Sequence, residues 1–128
     1  MTVNLAQLAS QVKEDLDAYE VPQTHPSTAL GSPLPASWYE AGLAAMRTSL
    51  VEPYWTKLRD LDPDSRKLVI LDVVVVADDG DGSLVAFDPM DQGGFVLALR
   101  EPDPEAGRGI NTVSCGVRGD AVGCFLSR

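Results

Sequence analysis

The run Leu68-Val69-Ile70-Leu71-Asp72-Val73-Val74-Val75-Val76 constrains the fold of this chain more than any other feature. β-Branched residues pack well on a pleated surface, and successive side chains of a strand point to opposite faces. Val69, Leu71, Val73 and Val75 therefore share one face; Leu68, Ile70, Asp72, Val74 and Val76 share the other. Both faces are apolar apart from one carboxylate. An antiparallel sheet with a wet side alternates apolar and polar residues, so this run predicts a strand covered on both sides.

The rest of the chain supplies the cover. Leu5, Leu8, Val12, Leu16 and Tyr19 recur at helical spacing, which predicts an amphipathic helix over 4–20, with Asn4 and Gln7 forming a capping box and Pro22 ending it. Residues 21–36 hold four prolines and no charge, and read as an extended strap without a ladder of its own. Ser37 and Glu40 have the spacing of a second capping box. Leu43, Met46, Leu50, Tyr54, Leu58 and Leu61 then predict a helix over 37–61, kinked near Glu52 by Pro53. Aromatic residues at that spacing, Trp38, Tyr39, Tyr54 and Trp55, read as core before they read as a pocket.

From residue 67 to 127 the period is strand-like. Strands are predicted at Lys67–Ala77, Leu84–Phe87, Phe95–Arg100, Asn111–Val117 and Ala121–Ser127, joined mostly by short polar turns that favour antiparallel meander pairing. With 128 residues, the length suits one domain spanning 1–128. The predicted fold is α+β: two N-terminal helices packed on one face of a mainly antiparallel meander sheet of about five strands. On that arrangement the second sheet face, carrying Ile70, Asp72, Val74, Val76 and Phe125, stays open and apolar, as partner surfaces are.

A tight turn at Gly119-Asp120 sets the register of the last predicted hairpin and places Cys115 opposite Cys124. At a non-hydrogen-bonded pair the Cα atoms would lie about 4.5 Å apart, within reach of a reducible disulfide. The plainer expectation is two small thiols packing as hydrophobes. Asp78, Asp79, Asp81 and Ser83 miss the spacing of a calcium loop and read as a turn, so no metal is expected. His25, the only histidine, has no partner motif, and no nucleotide-binding or hydrolase signature is present. No cofactor is expected.

Ten Lys and Arg against nineteen Asp and Glu give a net charge of −9, which opposes nucleic-acid binding and favours encounter with a cationic target. The chain starts without a basic, apolar leader and has no run long enough to span a bilayer, so a soluble cytoplasmic protein without membrane contact is expected. The function expected is a non-enzymatic, acidic protein-interaction module of immunity, adaptor or chaperone type. It would use the open sheet face against a protein partner or a second copy as a homodimer. The competing expectation is a small enzyme or ligand-binding domain with a pocket between strap and sheet, using His25, Asp72 or Tyr54.

Overall fold

A computed structural model of the chain describes residues 3–22, 34–62, 64–90, 94–101 and 112–128. Helix α1 spans Leu5–Ala18; the Asn4 side chain accepts the Gln7 N–H at 3.0 Å, and Leu8, Val12 and Leu16 are buried along one face. Helix α2 spans Ala36–Ser49, starts after Pro35 with no side-chain cap, and buries Leu43, Met46 and Ser49. The strap falls for the most part on 23–33, and with His25 it lies outside the described residues.

The first difference from expectation comes directly after α2. Instead of a kinked helix continuing to residue 61, the chain turns into strand β1, Leu50–Leu61. The physical reason is an ambiguous spacing. Leu50, Tyr54 and Leu58 lie four apart, a step close to one helical turn and equal to two strand repeats. Val51, Tyr54, Trp55 and Thr56 favour the strand, and Pro53 denies a helix one backbone donor. Pro53 sits where β1 and its neighbour shift register, between Leu50 and Tyr54, a position at which a strand tolerates proline.

Strands β2 (Leu68–Asp78), β3 (Ser83–Asp88), β4 (Gly94–Arg100) and β5 (Thr112–Gly119) follow as antiparallel neighbours. β5 then returns beside β1 in parallel, and the five strands close into a barrel. The chain is thus α+β, with a barrel in place of the open meander sheet.

Residues Ala121–Leu126 form helix α3, not the expected fifth strand. Asp120 caps it, its carboxylate accepting the Gly123 N–H at 3.0 Å. The buried positions Ala121, Val122, Cys124 and Phe125 follow the i, i+1, i+3, i+4 pattern of a helix face. Gly119-Asp120 is therefore a strand-to-helix junction, and no hairpin pairs Cys115 with Cys124.

Closure accounts for both apolar faces of β2. Val73 and Val75 point into the barrel with Leu58, Leu84, Ala86, Val96 and Ala98. Val74 and Val76 point outward, beneath α1, α2 and α3, in a second core with Val85, Leu97 and Phe125. The odd-numbered face, assigned in advance to the helices, is the barrel lining, and the even-numbered face is the one the helices cover.

Candidate functional site

Three of the five residues expected on an open face are interior. Val74 is fully buried, and Val76 and Phe125 are each 2% exposed, all three within the core that the helices make with the barrel wall. They offer no surface, because the chain's own helices shield them. Ile70 and Asp72 lie further toward the start of β2, beyond that cover. Ile70 is 46% exposed, and Asp72 accepts a hydrogen bond from Lys57 Nζ at 2.7 Å across the β1–β2 pair. That ion pair is solvated and of small energetic weight. Tyr54, offered as a pocket residue, is exposed at the other end of the barrel wall and accepts a long hydrogen bond, 3.4 Å, from Arg100.

The cysteines are also apart. Both are free; Cys115 is exposed on β5 and Cys124 is buried on α3. Burial, reinforced by the Asp120 carboxylate, pushes the Cys124 thiol up to about 11, and its Sγ donates to the Val117 carbonyl at 4.0 Å. Partial burial, with the Glu101 carboxylate, also raises the Cys115 thiol. Thiolate is scarce at both positions near neutral pH.

The aspartate-rich turn after β2 uses its carboxylates on its own backbone. Asp78 accepts the Gly80 N–H at 2.9 Å, and one oxygen of Asp79 accepts from both Asp81 and Ser83 at 2.8 and 3.0 Å. These are Asx turns, which explains the spacing without a ligand. Among the described residues no group of three carboxylate, thiol or imidazole side chains is placed to hold a metal.

A concavity open to solvent lies elsewhere, at the barrel end where β1 hands over to β2. Its volume is about 920 Å³. The end of β1 contributes Arg59, Asp60 and Leu61; the turn contributes Asp62 and Asp64; β2 contributes Leu68, Val69 and Leu71. Asp88 and Met90 enter from the end of β3, and the opposite wall is β5, through Val113 to Gly116 and Arg118. Sites that hold ligands commonly enclose about 300–1,000 Å³.

An ion triad forms part of its floor. Arg118 donates to Asp60 Oδ2 at 2.6 Å and to Asp88 Oδ2 at 3.1 Å, so one guanidinium joins β5 to β1 and β3. Asp88 is almost wholly buried, and its other oxygen accepts the Met90 N–H at 3.0 Å. Arg118 reaches inward because β5 bulges. Val96 pairs with Arg118 but Ala98 pairs with Ser114, leaving Cys115, Gly116 and Val117 opposite Leu97 alone. Gly116 takes φ 80°, a conformation suited to glycine, and its N–H is accepted by Ser114 Oγ at 3.1 Å.

No motif in the sequence joins the three triad residues. Asp60 closes the run whose spacing predicts a helix over 37–61, and Asp88 directly follows the strand predicted at Leu84–Phe87. The available signal was a charge at the end of each apolar strand run, Asp60 on β1 and Asp88 on β3, with a glycine two residues before Arg118.

The rim is apolar and the net charge acidic. Leu61, Leu68 and Met90 are 58%, 62% and 82% exposed, and Ile70 lies beside them on the outer wall. Four lining carboxylates, Asp60, Asp62, Asp64 and Asp88, outnumber the two guanidiniums of Arg59 and Arg118. The Nε of Arg59 is buried with no hydrogen-bond partner among the described residues. Asp62 is engaged by the turn itself, accepting the Asp64 and Ser65 N–H groups at 2.8 and 3.3 Å. Such a surface suits contact with a ligand that is both cationic and apolar. Compared with protein-family models, with curated proteins and with solved structures, the chain matches none.

Proposed function

We propose that this protein is a non-enzymatic interaction module, of the adaptor, immunity or chaperone kind, that receives a basic, amphipathic segment of a partner protein in the cleft between β5 and the β1–β2 end of the barrel. The observation that carries this reading is the cleft's composition: surplus carboxylate inside and exposed Leu61, Leu68 and Met90 around it. Large apolar side chains gathered at one concave place mark contact surfaces more often than scattered ones do. The whole-chain charge of −9 speeds approach of a cationic partner and opposes pairing of two copies through an acidic cleft.

Ile70 and Asp72 belong to the same surface on its outer side, whereas Val74, Val76 and Phe125 serve the core. The test is titration of a labelled Lys/Leu peptide, followed by fluorescence anisotropy at low and high salt. Saturable binding that weakens with salt, and weakens about fivefold in an Asp62→Asn/Asp64→Asn variant, is the expected outcome, since asparagine keeps the turn acceptor and removes charge. Equal binding by wild type and variant, or none, overturns it.

A further inference from the structure

Most of the ionised groups that line the cleft are already used by the fold. Asp60 accepts the Leu61 N–H at 2.8 Å with one oxygen and Arg118 at 2.6 Å with the other. Asp88 divides its oxygens in the same way between the Met90 N–H and Arg118. Asp62 is bound into its own turn, and Asp64 is exposed on that turn. Arg59 differs. It lines the cleft partly buried, its Nε has no hydrogen-bond partner, and no ion pair joins its guanidinium to a carboxylate among the described residues.

The strand neighbours of Arg59 account for this. Arg59 is paired with Ile70 on β2 and with Val113 on β5, so it stands between two apolar residues. The carboxylate on the same face of β2, Asp72, is held by Lys57 at 2.7 Å. A guanidinium cannot lose its charge, and its attraction for an anion grows as water is displaced from around it.

We infer that Arg59 captures the C-terminal carboxylate of the partner's basic, aliphatic segment, so that the cleft receives the end of a chain. This rests on the proposed function above and specifies the part of the partner that is held. Terminal carboxylates are a recurring target of peptide-binding sites, and arginine's planar fork meets both oxygens at once. β1 and β5 are paired at Arg59 and Val113, so backbone bounds the cleft beside the guanidinium, and a segment entering past Leu61, Leu68 and Met90 ends there. The surplus of carboxylate favours a ligand of net positive charge, which a segment rich in Lys or Arg keeps despite one terminal anion. Its basic side chains meet Asp64, and its aliphatic ones meet the rim.

The experiment uses the full chain and three acetylated, alternating Lys-Leu octapeptides: one with a free C-terminal carboxylate, one amidated, and one amidated with aspartate as its last residue. Affinity is read by calorimetry for the wild type, Arg59→Lys and Arg59→Gln, and the Arg59 Nε–H resonance is followed in the wild type. The free acid should bind the wild type about tenfold or more tightly than the amide, since hydrogen bonds between charged partners are the strong ones. That ratio should shrink in Arg59→Lys and fall to about one in Arg59→Gln, with the amide's own affinity little changed. The Nε–H resonance should shift with the free acid and not with the amide, which decides the matter if Arg59→Gln fails to fold. Equal binding of acid and amide, or a ratio that survives Arg59→Gln, overturns the capture while leaving an acidic binder of basic segments standing. Binding of the aspartate peptide as tightly as the free acid overturns the chain end in favour of an acidic side chain. Failure of all three peptides overturns both readings.

Discussion

Replacing Arg118 with methionine tests the ion triad that ties three strands together. Methionine keeps most of the side-chain length and removes the charge, so Asp88 is left with a nearly buried carboxylate whose remaining partner among the described residues is the Met90 N–H. Asp60 loses its 2.6 Å contact at the same time. Stripping one member from a buried ion pair costs about 3–5 kcal/mol. The guanidinium is 32% exposed, so water replaces part of what is lost, and about 2–3 kcal/mol is the reasoned figure. For a chain of this size that is a fall in Tm of about 8–12 °C. Asp88→Asn keeps the Met90 acceptor and removes the stranded charge, so the double variant should recover at least about 1 kcal/mol of the single-variant loss. Urea unfolding of the wild type, both single variants and the double variant closes the cycle. A change within about 0.5 kcal/mol for Arg118→Met, or strict additivity, would refute the triad as a structural tie and reduce it to a surface ion pair.

Other outcomes follow from single features. Asp120→Ala removes the cap of α3 and should cost about 1 kcal/mol in the same unfolding assay, with Gly123 left holding an unpaired N–H. Gly116→Ala forces a side chain into a positive-φ position and should cost about 1 kcal/mol, with no steric clash contributing because the space around it is open. A thiol reagent at neutral pH should label Cys115 before Cys124, and Cys124 should react only on unfolding. The Cys124 thiol is raised in the folded state from an ordinary 9.0 to about 11, so its contribution is intact below the unfolded value and is lost as pH rises through the folded one. Stability should therefore decline between about pH 9 and 11, and Cys124→Ala should flatten that part of the curve.

Much of the chain's local structure was legible because one residue decides it. Asn4 starts α1, and the valine run could only be a strand with two dry faces. The failures share a different cause, which is that spacing does not name its own period. Leu50, Tyr54 and Leu58 fit a helix and a strand equally well, and only the β-branched and aromatic residues between them point to β1. Ala121 to Leu126 is short enough that alternation and helical spacing overlap, and Asp120 as a cap decides for the helix. The second face of β2 was misassigned for a topological reason. Closure needs β5 to return beside β1, a long-range pairing that no local pattern encodes, and closure turns the face expected beneath the helices into the barrel lining and puts the helices on the apparent docking face. The cleft was missed with it, since Arg118 meets Asp60 and Asp88 only once the barrel exists.

The most direct measurement of the proposed role is mapping of backbone amide shifts while a basic amphipathic peptide is titrated into isotopically labelled protein. Changes confined to 59–71 and 113–118, saturating with one site and suppressed by salt, are expected. No change at any peptide concentration, or changes centred on α1 and α2, would contradict it.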